Sequence, residues 1–110
     1  MNKETIKKTY QDLLEKRLDL SEYIPGYIWR LSDYEEVLNV LLQDRQLLLG
    51  GNMLIMKDGE YSHESSSWYY DGKSYSESIE VAREYLARFE KFNPNDNFAV
   101  VFTFKPALDD

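Results

Sequence analysis

The chain has 110 residues, a formal net charge of −7 from 20 acidic and 13 basic side chains, 43% hydrophobic residues and no cysteine. That length suits one domain spanning residues 1–110, and the apolar content supports a folded core. The acidity opposes contact with a phosphate backbone, and the lack of thiols excludes disulfide and thiolate chemistry. Met1 to Lys8 carries charges where a signal peptide needs an apolar run. The most apolar stretch, Val37 to Met56, is broken by Asp44, Arg45 and Gly50-Gly51, so it does not read as a membrane span. The expectation is a cytoplasmic protein that binds neither nucleic acid nor membrane.

From Asn2, a candidate N-cap, Ile6, Tyr10, Leu13, Leu14 and Leu18 recur at helical spacing, which predicts an amphipathic helix ending before the Pro25-Gly26 turn. Tyr27-Ile28-Trp29 is an aromatic and β-branched piece suited to extended backbone. Ser32 with Glu35 forms a capping-box pattern, and Val37, Leu38, Leu41 and Leu42 give the buried stripe of a second helix running to about Arg45. Gly50-Gly51 is read as a tight turn into a strand from Met53 to Lys57. Asp58-Gly59 is a hairpin dipeptide, with Glu60 to Ser66 returning as the second strand. Trp68-Tyr69-Tyr70 is strand-prone, and Asp71-Gly72 reads as another turn of the same kind.

Ser74 with Glu77 is a further capping box, with Ser76 as an alternative cap. Ile79, Ala82, Tyr85, Leu86 and Phe89 follow on one helical face, and Asn93-Pro94-Asn95 closes that helix. Phe98 to Phe104 carries apolar residues on both faces, which places it inside a sheet. The resulting order is α-α-β-β-(β)-α-β. The helix after the hairpin acts as a crossover, so the last strand should run parallel to the strand before it and lie beside the first. The expected fold is α+β: a mostly antiparallel sheet of three to four strands with helices packed on one face.

Catalytic groupings are sparse. His63 is the one histidine, with Ser62, Ser65, Ser66 and Ser67 nearby, but strand neighbours face opposite ways and no nucleophile elbow is present. His63, Glu64 and Glu60 lack zinc-ligand spacing, and Asp58-Gly59-Glu60 is too short for a calcium loop. Glu35 and Glu36 point about 100° apart on a helix, too far for a paired acid and base. Gly50-Gly51 has neither the lysine nor the third glycine of a phosphate cradle. These readings favour a protein that is not an enzyme and has no cofactor or metal.

What remains is a surface. Between Asp58 and Asp96 the acids Asp58, Glu60, Glu64, Asp71, Glu77, Glu80, Glu84, Glu90 and Asp96 outnumber Lys73, Arg83, Arg88 and Lys91. Among them stand Tyr61 and Trp68-Tyr69-Tyr70, in a chain that is 15% aromatic. Rings supply desolvated contact area while carboxylates steer a basic partner. Asp58, Glu60, Tyr61, Glu64, Trp68, Tyr69 and Asp71 are therefore the candidate partner-binding residues, with Trp68 and Tyr70 able to turn inward and Tyr69 facing the other way.

Leu47-Leu48-Leu49-Gly50-Gly51-Asn52-Met53-Leu54, the acidic hairpin, Trp68-Tyr69-Tyr70-Asp71 and the following amphipathic helix resemble the bacterial immunity protein 40 family. The resemblance spans roughly Tyr34 to Phe104. It implies a cytoplasmic protein that neutralises the toxin domain of a polymorphic or contact-dependent toxin by direct binding. That pattern carries an acidic residue after the glycine pair, where this chain has Asn52, so no charge role is carried over to that position. A basic nuclease suits such a partner, because carboxylates can stand in for phosphates. A small acidic adaptor or regulatory protein docking on a housekeeping partner would share the same surface without a linked toxin gene.

Overall fold

The computed structural model describes residues 11–20 and 24–108. The expected helix from Asn2 lies outside them up to residue 10, and within them it ends at residue 15, short of Leu18 and of the expected stop before Pro25-Gly26; the terminal Asp109-Asp110 also lies outside them. Residues 11–15 are helical (α1), followed by β1 (Tyr27–Arg30), a 3-10 turn (Leu31–Asp33) and α2 (Tyr34–Gln43). Then come β2 (Gln46–Lys57), β3 (Glu60–Tyr69), α3 (Tyr75–Phe92) and β4 (Phe98–Pro106).

The four strands form one sheet in the order β1-β4-β2-β3, and every neighbouring pair is antiparallel. β4 lies beside β2 and runs in the same direction as β3, as the crossover argument requires. Its central place explains why both faces of β4 are apolar. Val100 and Phe102 enter the core shared with Val37, Leu38 and Leu41 of α2 and with Ile79, Ala82 and Leu86 of α3. Ala99 and Val101 join a smaller cluster on the opposite face with Ile28, Leu54 and Tyr61. Ile24, Leu18 and Leu20 cover that second face, and the Leu18 amide donates to the Ile28 carbonyl over 2.8 Å. Fully burying each of these large apolar side chains contributes about 1.5–3 kcal/mol.

Two buried polar groups fasten the layers. The Trp29 indole N–H donates to the Leu13 carbonyl over 2.8 Å, tying α1 to β1. Ser78 is fully buried, and its hydroxyl accepts from the Leu48 amide at 3.0 Å while donating to the Tyr75 carbonyl at 2.7 Å. Ser78 thus joins α3 to β2 with its polar atoms satisfied.

The Asp58-Gly59 turn forms as expected, with φ of 53° and 82°. Positive φ at both central residues matches the right-handed twist of the flanking strands. Ser74 caps α3, its hydroxyl accepting from the Glu77 amide over 3.2 Å.

Three local expectations are corrected. The glycine pair is no turn: β2 begins at Gln46 and runs through it, with a register shift against β4 between Leu48 and Gly50. Gly50 has φ of 154°, and a side chain there would strike the Trp68 carbonyl. The Ser32-Glu35 box does not form, because Ser32 sits inside the 3-10 turn and Asp33 occupies the N-cap without a side-chain bond. Asp71-Gly72 is not a second hairpin turn either. Trp68 and Tyr69 complete β3, and the chain then bends into α3 with the Tyr70 hydroxyl accepting from the Ser74 amide over 3.3 Å.

Candidate partner-binding surface

β3 is an outer strand, hydrogen-bonded to β2 alone. Opposite β2 its register slips between Leu54↔His63 and Asn52↔Ser67, so Glu64, Ser65 and Ser66 form a bulge. The Glu64 carboxylate accepts from the Ser65 amide at 3.0 Å and from its hydroxyl at 3.1 Å, closing the bulge on itself.

The seven candidate residues divide by burial. Tyr61 and Trp68 are interior, 9% and 8% exposed, and this corrects the expectation that both stand ready for a partner. Tyr61 faces the second cluster, under cover of the segment containing Leu18, Leu20 and Ile24. Trp68 lies on the helical side, stacked over Gly51, with its ring centroid 5.0 Å from Tyr85 and 6.1 Å from Phe102. Its indole N–H has no acceptor among the described residues, so the site is shaped by ring packing rather than by polar pairing.

Tyr69 is the opposite case, at 81% exposed. It pairs with Gly50 on the sheet face away from the helices. A shallow depression of about 310 Å³ lies beside it, bounded by Asn52, Ser67 and Thr103 and floored by the glycine pair. Because Gly50 and Gly51 have no side chains, nothing from β2 covers the ring. Trp68 holds the backbone from beneath, so the exposed ring is presented from a fixed strand.

Asp58, Glu60 and Asp71 are exposed and Glu64 is half-buried. None of them makes an ion pair among the described residues, nor do Glu77, Glu84 and Glu90 of α3, whereas Glu35, Glu36 and Glu80 of the helical layer do. There Lys16 binds Glu36 at 2.7 Å, and Arg83 joins Glu80 at 2.7 Å and Glu35 at 3.4 Å. The hydrogen bond from Lys16 to Glu36 raises the lysine pKa, while burial, reinforced by Glu35 and Glu90, raises that of Tyr34. The acids between Asp58 and Asp96 are thus split, with Asp58, Glu60 and Glu64 on the hairpin, Asp71 in the bend after it, Glu77, Glu80, Glu84 and Glu90 on α3, and Asp96 in the loop before β4.

Glu60 pairs with Lys57 and Tyr69 with Gly50, and strand alternation sends those two residues to opposite faces. What Glu60, Glu64 and Tyr69 share is the outer margin of β3 rather than one flat face. His63 is exposed on this margin and makes no hydrogen bond to a serine or carboxylate among the described residues. No group of three or more potential metal ligands occurs among them either.

One feature of this margin escaped the residue-by-residue reading. Phe92, the last residue of α3, is 73% exposed and stands three positions beyond Phe89 on the same helical stripe. That spacing is the signal that could have found it.

Fold and margin together define an α+β domain with a helical layer on one sheet face and an open, acidic, aromatic hairpin margin. The family model for Immunity protein 40 matches residues 16–104, and the chain belongs to that family. Membership gives it an immunity role in a toxin system. Neither a curated protein nor a solved structure matches the chain. No helix among the described residues is long and apolar enough to cross a membrane.

Proposed function

We propose that this immunity protein neutralises its cognate toxin domain by direct binding through the outer margin of the β2–β3 hairpin. Tyr69 acts as the aromatic anchor, and Asp58, Glu60, Glu64 and Asp71 meet a cationic surface on the toxin. A basic nuclease domain fits this chemistry. The observation that carries the reading is the Tyr69 ring, 81% exposed on a strand that also bears Glu60 and Glu64, with Asp71 two residues on, none of these acids being ion-paired among the described residues. A large ring already held in position loses little entropy on binding, which is the property of an interface anchor. A standard interface needs about 800 Å² from each partner, a small share of the 7184 Å² surface of this chain.

Co-expression with the toxin domain encoded beside this gene tests the proposal. The wild-type chain should co-purify with the toxin and protect the host. Tyr69→Ala should weaken the complex at least about tenfold while leaving thermal stability unchanged, since the ring contributes little to the core. If the wild-type pair forms no complex and gives no protection, direct neutralisation is wrong. A housekeeping partner recovered in its place would support an adaptor role.

A further inference from the structure

The aromatic stripe of α3 extends beyond the sheet that it covers. Tyr85 lies 5.0 Å from Trp68 and 6.4 Å from Phe89, and Phe89 meets Phe98 edge-on at 4.9 Å. Phe92, one turn further, has no ring partner among the described residues and is largely in solvent. Between this stripe and Ser66 of β3 runs a groove of about 270 Å³. On that side of the sheet β3 has no strand neighbour.

Edge strands are ordinarily blunted by charged side chains, proline, a β-bulge or a covering element, because their unpaired N–H and C=O groups invite another strand. Glu60–Tyr69 contains no lysine, arginine or proline. That edge is interrupted at the Glu64–Ser66 bulge, where the Ser65 amide is bonded to Glu64, so a fifth strand would find backbone partners at residues 60–63 and 67–69, with apolar cover from the helix that overhangs Ser66.

We propose that this place is filled by an extended segment of the toxin, which pairs with the outer edge of β3 and inserts an apolar side chain between Ser66 and Phe92. The inference rests on the reading that the chain binds its toxin directly, and it names the element of the toxin that is recognised. In an added strand, alternate side chains point to opposite faces. Those on the helical side meet the aromatic groove, while those on the other side pass Tyr69. The charged residues of the β3 edge select the remainder of the motif: Glu60 and Glu64 favour lysine or arginine on the incoming segment.

The same charges argue against a second copy as the occupant. A second copy would bring its own Glu60 and Glu64 to the same edge, with no lysine or arginine on β3 to answer them.

Hydrogen exchange, read by mass spectrometry on the free chain and on its complex with the catalytically inactivated toxin domain encoded beside its gene, tests this. Outward-facing amides of residues 60–69 should exchange at least about tenfold more slowly in the complex. Phe92→Glu should weaken that complex at least about tenfold, while Glu77→Gln leaves it unchanged. Phe92 is exposed, so the variant keeps its fold, and the thermal melt checks this. A complex that forms without added protection at residues 60–69, or that tolerates Phe92→Glu, overturns strand addition while leaving direct binding intact. Absence of any complex defeats direct binding itself, and strand addition with it. A concentration-dependent dimer of the free chain that protects the same amides assigns the edge to a second copy and overturns the proposal.

Discussion

A methyl group at Gly51 would enter the Trp68 ring and lie 2.8 Å from the Val101 carbonyl. Neither obstacle yields cheaply: one is the wall of the core and the other is backbone in the neighbouring strand. Gly51→Ala is therefore expected to destabilise the protein by about 1–3 kcal/mol, the usual cost of overpacking. Urea unfolding measures it, and a change within error of zero would show that the indole does not rest on this glycine. The consequence reaches function, because Trp68 directly precedes Tyr69 and anchors the strand that presents it. Residue identity alone conceals this: Gly50-Gly51 has the composition of a turn, yet each glycine is required by a close approach from β3. Trp68 and Tyr69 illustrate the complementary case, where strand alternation foretells that the two rings face opposite ways. It does not foretell that Tyr61 is covered, since the cover comes from residues near Leu18 and Ile24, far away in sequence.

The helix caps show how far local pattern reaches. Ser32 and Ser74 each stand three residues before a glutamate, and only Ser74 makes the bond. The difference lies in the preceding chain. Arg30 has extended backbone, and the following residues Leu31–Asp33 wind into a 3-10 turn that carries Ser32 past the cap position. Ser74 follows the Gly72 bend and keeps the extended backbone, with ψ of 116°, that a cap requires. Ser74→Ala should then cost about 1 kcal/mol and Ser32→Ala close to nothing, both read from denaturant midpoints. Equal losses at the two sites would contradict the cap assignment. The same comparison explains which elements were legible. The helix periodicity of α2 and α3, the Asp58-Gly59 turn and the two-sided apolar strand Phe98–Phe104 are local signals confirmed by the fold. The seven residues by which β2 precedes its expected start were hidden, because Gln46–Asn52 is a strand only through its pairing with β4 and β3.

Across the whole molecule, the net charge of −7 acts through its placement. On the helical layer, Lys16 offsets Glu36 and Arg83 offsets Glu35 and Glu80, whereas Asp58, Glu60 and Glu64 on the hairpin and Asp71 just beyond it form no ion pairs among the described residues. The acidic excess was legible from composition, but its division between two sides of the domain was not, since that depends on where the crossover helix α3 packs. The division makes a kinetic prediction. Unpaired exposed carboxylates attract a cationic partner over distances comparable to the Debye length, about 10 Å at 0.1 M salt. Association of chain and toxin should therefore slow by about tenfold between 0.05 M and 0.5 M salt, with the dissociation rate much less affected. Neutralising Asp58 and Glu60 together as Asn and Gln should flatten that dependence. The same change at Glu80 and Glu84 on α3 should leave it nearly intact, because those carboxylates belong to the opposite layer. Stopped-flow association rates over a salt series separate the two double variants. If both flatten the slope equally, steering arises from overall acidity, and the hairpin has no privileged part in drawing the toxin in.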